Sequence, residues 1–251
     1  MTATETRTRT NPLIVIKSTT EKYAPAGRVR DIIDALQIQV TRDFKPAWGI
    51  DATVVYAEKG EEYPNAYRIN VRATAGEEDR GYLGYHFSEN GYPVASIFAE
   101  EDLKDDKTIS DTLSHEVLEM LVDPACNLYA HRPAAGHRPA RGYFFEVCDA
   151  VQTVKYAING YPVCNFVYPE WFEQVLKPRS RRFDHLGTLI EPFQLLDGCY
   201  ADVYERRAGQ KGQFKTIWGP ETDLRLQEKG KHRKWHRNKQ RLNIRREGDD
   251  D

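Results

Sequence analysis

Residues 112–124, with the sequence TLSHEVLEMLVDP, predict a helix that is buried over most of its surface. At about 100° per residue, apolar side chains fill one wide arc of this helix. The arc comprises Ile109, Leu113, Val117, Leu118, Met120, Leu121 and Val122. The remaining sector is narrow and polar, and it comprises Thr112, His115, Glu116, Glu119 and Asp123. Such a helix has to be enclosed within a packed domain. Its polar stripe is the part of the helix that can bind a metal or take part in catalysis.

The polar stripe contains the pattern HExxE, formed by His115, Glu116 and Glu119. In the related pattern HExxH, two histidines one turn apart hold zinc, and the glutamate between them is a general base. Here Glu119 stands in place of the second histidine, and a carboxylate oxygen also binds zinc. The stripe therefore predicts an altered metal site. The alternative is an amphipathic helix whose polar face is rich in histidine and glutamate by chance.

The segments before this helix predict an α+β domain. Leu13–Lys17 has the pattern of a short apolar strand, and Val29–Phe44 has helical spacing that ends before a proline. Four strand candidates separated by glycine, proline and charged turns follow, at Ile50–Ala57, Ala66–Ala73, Gly81–Phe87 and Val94–Ala99. Thr108 and Asp111 have the spacing of a capping box at the start of the HExxE helix, and Pro124 ends it.

This order, with the glycine-punctuated strand GYLGYHF shortly before the HExxE helix, resembles the upper lobe of zincin metallopeptidases, metzincins in particular. In those proteins an edge strand borders the substrate cleft, and the helix beneath it presents the metal. The resemblance implies a zincin-like α+β fold, with a mixed twisted sheet, a backing helix and a smaller aromatic-rich lower lobe. It also implies a metal-dependent hydrolase that acts on a peptide or protein substrate. The third histidine of metzincins is absent, because Val122 and Ala125 occupy the corresponding offsets.

A gluzincin-like third ligand fits the sequence better. In that group a glutamate on a later element completes the site, and an aspartate soon after it orients a metal-binding histidine. The segment GYFFEVCDAVQ offers Glu146 and Asp149 at about that spacing. Ionised groups in such an apolar segment need a partner, and the alternative to a metal is pairing with Arg138 or Arg141.

The resemblance assigns a role to each of these residues. His115, Glu119 and Glu146 are the expected metal ligands, and Glu116 is the expected general base. Asp149 is expected to orient His115 through the second ring nitrogen of that histidine. For lining the cleft or stabilising an oxyanion, the sequence offers three residues without choosing among them: Tyr82, Tyr85 and His86.

The expected cofactor is one divalent metal ion, with zinc first. One imidazole and two carboxylates make a harder and more anionic ligand set than zinc usually has, so manganese and calcium are alternatives. If the site has lost its metal, the protein is instead a non-catalytic structural or assembly protein on a zincin-like fold. The motif segment is also similar to the SHExLEMLxDP helix of bacterial and phage-associated proteins, which makes association with a virion an alternative location.

The chain divides into four expected regions. Residues 1–11 are polar and expected to be disordered, residues 12–124 form the upper lobe, residues 125–220 the lower lobe, and residues 221–251 a basic tail.

The chain has 251 residues, a net charge of −2 and four cysteines without a CxxC pair. With no N-terminal apolar leader and no long apolar run, we expect a cytoplasmic protein that makes no membrane contact and keeps its cysteines reduced. Export by a route without such a leader is left open, and the sequence does not indicate an oligomeric state.

The second half contains a hairpin signal and two surface segments. Residues 156–167, YAINGYPVCNFV, predict a hairpin with a tight turn at Asn159-Gly160. A repeat of HRPA at 131–140 predicts an exposed loop, residues 168–177 a short aromatic helix, and residues 193–196, 198–206 and 214–218 further strands. The segment Lys229–Arg246 is strongly basic and contains a tryptophan, so nucleic acid is a possible partner of the tail. A solvated tail without a partner is the alternative.

Overall fold

The structure is a computed structural model that describes residues 11–77, 79, 81–104, 108–173, 182–207 and 209–220. The basic tail lies outside the described residues, and so does the N-terminal segment except for Asn11. Several sheets and a few helices make up the described part, which confirms the predicted α+β class.

Five strands form a mixed sheet in the first half of the chain. They are β1 (Leu13–Ser18), β2 (Thr53–Tyr56), β3 (Tyr67–Arg72), β4 (Gly84–Glu89) and β5 (Tyr92–Phe98). Their order is β2-β1-β3-β5-β4. The first four strands in that order are parallel, whereas β4 runs antiparallel to β5. Every strand predicted in this half is therefore present, and the GYLGYHF segment supplies the edge strand β4.

The helices of the first half flank this sheet. They are α1 (Ala26–Ile38), α2 (Lys45–Trp48), α3 (Ala99–Lys104) and α4 (Ile109–Val122). A π-helical segment, Gln39–Phe44, joins α1 to α2, so the helical chain continues past the predicted end before Pro46. Proline is tolerated there because it occupies the first turn of α2, where its missing N–H has no intrahelical partner to lose.

The second half forms a four-stranded antiparallel sheet and a separate hairpin. The strands are β6 (Tyr129–Arg132), β7 (Ala140–Phe144), β8 (Lys155–Ile158), β9 (Tyr161–Cys164), β10 (Tyr200–Arg206) and β11 (Gln213–Trp218). The sheet has the order β11-β10-β7-β6, and β8 pairs with β9. Asn159 and Gly160 both have positive φ, at 51° and 83°, so the predicted primed turn is present.

Three local predictions were wrong, and a fourth was wrong in part. The HRPA repeat belongs to a β-hairpin in which residues 129–132 pair with residues 141–144, so only the connection between these strands, residues 133–139, is the predicted loop. Residues 193–196 form no strand, since Phe193 adopts a φ of +59° and its N–H donates to the carbonyl of Trp171. In place of an aromatic helix, the described part of 168–177 contains the 3₁₀ turn Pro169–Phe172.

The predicted capping box at the start of α4 also does not form. Thr108 makes no side-chain capping hydrogen bond, and its Oγ1 lies 3.0 Å from Oγ of Ser110. Asp111 instead forms an ion pair with Lys155 at 2.5 Å, in strand β8. The carboxylate of Asp111 therefore pairs with Lys155 of another element instead of capping the start of α4.

One apolar core extends from β1 to β10 and includes side chains from both halves of the chain. The first sheet lies within residues 13–98 and the second within residues 129–218, and the division of the chain into two lobes stays a prediction. Trp171 and Phe172 are buried in this core. The helix α4 packs against β4 and β5 on one side and against β9 on another, which places the HExxE stripe between the two halves.

Candidate metal centre

Burial of the HExxE helix is more complete than its sequence indicates. Every residue of α4 is buried except His115, whose side chain retains 15% exposure. Apart from His115, the polar stripe therefore contacts protein and not bulk water. Its acids need partners supplied by other elements, because a buried carboxylate without one is strongly destabilised.

His115 contacts two carboxylates through one ring nitrogen. Its Nε2 atom lies 3.1 Å from Oε1 of Glu119, one turn along the same helix. The same atom lies 3.2 Å from Oδ1 of Asp149, which begins a 3₁₀ turn after β7. Burial lowers the pKa of His115, but the negative charges of Glu119 and Asp149 outweigh burial and raise that pKa well above its ordinary value.

Cys148 completes a first group of potential metal donors. One donor atom each from His115, Glu119 and Cys148 lies within 4.8 Å of the others. The backbone N–H of Cys148 also donates to Oε1 of Glu119 at 3.3 Å. Burial raises the pKa of the Cys148 thiol well above its ordinary value, and its Sγ lies 3.2 Å from Sγ of Cys164. All four cysteines are free and buried, as predicted.

His86, from the edge strand β4, approaches the same polar stripe of α4 beside Glu116. Its Nδ1 atom is 3.1 Å from Oε2 of Glu116 and 3.8 Å from Oε2 of Glu119. One donor atom each from His86, Glu119 and Glu146 lies within 4.8 Å of the others, which makes a second group. The imidazole of His86 is fully buried, so it does not line an open cleft.

The two groups share Glu119, and they concentrate acid in the protein interior. Glu116, Glu119, Glu146 and Asp149 are each at most 5% exposed. Burial raises the pKa of Glu119 well above its ordinary value, and the nearby charges of Asp149 and Glu146 raise it further. A divalent cation among these groups would favour the ionised carboxylates, so the donors fit a metal by charge as well as by spacing.

The chemistry of the donors distinguishes the groups. A nitrogen, a carboxylate oxygen and a sulfur, as in the group of His115, Glu119 and Cys148, are donors that favour zinc over calcium. The group of His86, Glu119 and Glu146 has only nitrogen and oxygen donors, so manganese suits it as well as zinc.

The predicted site residues meet, but in a different combination. His115 and Glu119 contact each other, and Asp149 contacts His115. The contact of Asp149 uses Nε2, which also faces Glu119, instead of the second ring nitrogen. Glu146 shares a group with Glu119 and His86, not with His115. A common ion held by His115, Glu119 and Glu146 therefore stays a prediction.

The arginines offered as alternative partners have other contacts. Arg141 donates to Oε2 of Glu205, on the neighbouring strand β10, at 2.9 Å. Arg138 belongs to the turn of the β6–β7 hairpin, where it bridges to Ala135. Of the other residues considered for the cleft, Tyr82 is buried and the Tyr85 hydroxyl donates to Oδ1 of Asp79 at 2.9 Å.

Sequence reasoning missed His86 and Cys148 as potential metal donors, although a signal for each was present. In the GYHFSE strand, His86 alternates with Tyr85 and Phe87, so it faces the side of the sheet opposite to those two rings. Cys148 stands between the two predicted site residues Glu146 and Asp149. Neither signal shows on its own which element the side chain will meet.

No protein-family model, curated protein or solved structure matches this chain. Among the described residues, no helix is both long enough and apolar enough to cross a bilayer.

Proposed function

We propose that this chain is a zincin-like metal-dependent hydrolase that cleaves peptide bonds. The observation that carries the proposal is the position of the HExxE stripe. The helix α4 lies against the edge strand β4, and His115 is the one residue of that helix that is not buried. The same histidine contacts Glu119 and Asp149, so two halves of the chain contribute acids to one imidazole.

Zinc would be held by His115, Glu119 and Cys148. Two ligands about 2 Å from one tetrahedral ion are separated by about 3.3 Å, close to the 3.1 Å between Nε2 of His115 and Oε1 of Glu119. When bound, zinc supplies Lewis acidity and makes water easier to deprotonate. This group is also the one that substrate can approach, because the other group is buried throughout.

Glu116 would accept the proton of the attacking water. A general base has to be held close to the reacting atoms and to change protonation state during the reaction. Its Oε2 atom lies 3.1 Å from Nδ1 of His86, so β4 holds the carboxylate in one orientation. Asp149, whose Oδ1 lies 3.2 Å from the same Nε2 of His115, would offer a further carboxylate to the ion, and Glu146 would add negative charge near Glu119.

The test combines metal content with turnover. We expect purified protein to contain zinc and to cleave members of a library of internally quenched peptides. His115→Ala should lose the zinc of this group, whereas Glu116→Gln should keep zinc and lose activity by about 100-fold to 10,000-fold. Glu62→Gln, a change of an exposed glutamate, is the matched control and should behave as the wild type.

A different outcome would favour the non-catalytic alternative. Protein that holds no zinc, that melts at the same temperature with and without a chelator, and that cleaves no peptide would overturn the hydrolase proposal. Activity that survives Glu116→Gln would overturn the role of Glu116. In this alternative the protein has a structural or assembly role. The alternative is motivated by Glu119, which stands where HExxH has its second histidine.

A further inference from the structure

The geometry points to a second cation site, formed by His86, Glu119 and Glu146, that is separate from the group of His115 and Cys148. The inference goes beyond the proposed function, because binding at this site does not require turnover. It concerns a buried divalent cation, either zinc or manganese, and the elements that the cation would hold together.

The three donors are close and shielded from water. One ligand atom from each residue lies within 4.8 Å of the other two. His86 and Glu119 are fully buried, and Glu146 is 5% exposed. Bonds of 2.0 to 2.2 Å to nitrogen and oxygen let one zinc ion span ligand atoms up to about 4.4 Å apart, so binding would draw these three donors slightly closer together. Acids at this depth are more stable beside a dication than beside each other.

His86 has the arrangement of a metal-binding histidine. Such a histidine binds the ion through one ring nitrogen and donates the proton of the other to a carboxylate. Here Nδ1 lies 3.1 Å from Oε2 of Glu116, while Nε2 forms no hydrogen bond to any residue that the structure describes. A fully buried imidazole nitrogen without a hydrogen bond is costly unless something else binds it.

Glu119 faces both groups through different oxygens. Its Oε1 atom lies 3.1 Å from Nε2 of His115, and its Oε2 atom lies 3.8 Å from Nδ1 of His86. A carboxylate whose two oxygens approach two donor groups can bridge two cations, as carboxylates do in two-metal sites. Glutamate at this position then offers what a second histidine would not, because a neutral imidazole has only one nitrogen lone pair for a metal.

The second cation would join three elements that are distant in sequence. His86 lies on the edge strand β4, Glu119 lies on α4, and Glu146 follows β7 of the other sheet. A bound ion stabilises a protein when its ligands come together only in the folded state. This cation would fasten β4 to α4 and both of them to the second half of the chain.

The experiment counts zinc ions in the full-length protein. After removal of metal, wild-type protein titrated with zinc alone should bind two equivalents. His86→Ala and Glu146→Gln should each bind one, and His115→Ala should also bind one. His131→Ala, which changes an exposed histidine of the β6–β7 hairpin, should bind two. If His86→Ala fails to fold, Glu146→Gln decides the result.

Cobalt(II) as a second probe shows which site has been lost. Only the group of His115, Glu119 and Cys148 contains sulfur, so only that group should give thiolate-to-cobalt charge-transfer absorption. We expect His86→Ala to lose one equivalent of cobalt and keep that absorption. We expect Cys148→Ser to lose the absorption.

Two outcomes would overturn the second site. One is a wild type whose single zinc ion is retained by both His86→Ala and Glu146→Gln, and the other is an unchanged count of two in both variants. Failure of the proposed hydrolase activity is distinguishable from these results. An inactive protein that still binds two zinc ions would contradict the proposed function and support the second site.

Discussion

Nδ1 of His86 lies 3.1 Å from Oε2 of Glu116, across the boundary between the edge strand β4 and the helix α4. This contact depends on how closely the strand approaches the helix. Gly84, two residues before His86 on the same face of β4, sets that approach. A Cβ atom at Gly84 would lie 2.8 Å from Cδ1 of Ile97 and 2.9 Å from Cγ2 of Thr112.

We therefore expect Gly84→Ala to move β4 away from α4. The added methyl group overpacks the contact, which should lower the free energy of unfolding by about 1 to 3 kcal/mol. Zinc binding by the group that contains His86 should weaken at the same time. Urea denaturation and zinc titration of the same protein measure the two effects.

Gly27 provides the matched control for this change. It lies in α1, and a Cβ atom there would meet nothing within 4 Å. Gly27→Ala should leave stability unchanged or raise it by up to about 1 kcal/mol. If Gly84→Ala is as stable as Gly27→Ala, then packing of β4 on α4 does not depend on the glycine.

The two neighbouring cysteines should differ in their effect on zinc. Cys148 and Cys164 are both fully buried, with their sulfur atoms 3.2 Å apart, but only Cys148 belongs to a group of potential metal donors. Cys148→Ser should weaken zinc binding by at least about 10-fold, since even partners outside the ligand set are worth that much. Cys164→Ser changes a neighbour of the proposed ligand and not the ligand itself, so it should weaken zinc binding less than Cys148→Ser does. Competition with a chromogenic chelator measures both, and equal affinities would exclude Cys148 as a ligand.

Some of the site follows from sequence because the contacts are local. His115 and Glu119 are four residues apart on a helix, so their spacing alone brings them together. The Asn159-Gly160 turn likewise follows from the preference of these two residues for positive φ. In both cases the residues that determine the local structure are at most four positions apart in the sequence.

The rest of the site depends on contacts across long stretches of chain. His86 and Glu116 are 30 residues apart, and their meeting requires that β4 turn antiparallel and become the edge strand. Glu146 lies close to His86, whereas Asp149 contacts His115. Both positions depend on how the segment after β7 packs against α4. Hydrophobic periodicity fixes which face of an element is buried, but it does not identify the element that covers this face.

A buried hydrogen-bond network behind the metal groups provides a test of stability alone. Oγ of Ser114 donates to Oε1 of Gln39 at 2.8 Å and accepts from the N–H of Cys164 at 3.0 Å. Ser114→Ala leaves both partners without this hydroxyl, which should cost about 1 to 3 kcal/mol of unfolding free energy. Zinc stoichiometry should stay unchanged, because Ser114 is not a metal donor. Thr74→Ala, at an exposed position, should change neither quantity.

Glu205 should make stability depend on pH in the acid range. It is 3% exposed and accepts hydrogen bonds from Lys215 at 2.6 Å and Arg141 at 2.9 Å. Burial raises the pKa of Glu205, but these cations and Arg207 outweigh burial and lower the pKa from 4.5 to about 2. Because the pKa of Glu205 is lowered, its ionised form stabilises the fold at pH values above the pKa of the unfolded state. This stabilisation is lost as pH falls toward 2.

Glu205→Gln should therefore lose on the order of 2 kcal/mol near neutral pH, and its difference from the wild type should shrink between about pH 5 and about pH 2. Urea denaturation across that range measures the difference, with Glu89→Gln as the control because the ion pair of Glu89 with Arg68 is about half exposed. A difference that stays constant with pH would show that Glu205 does not stabilise the fold through its charge.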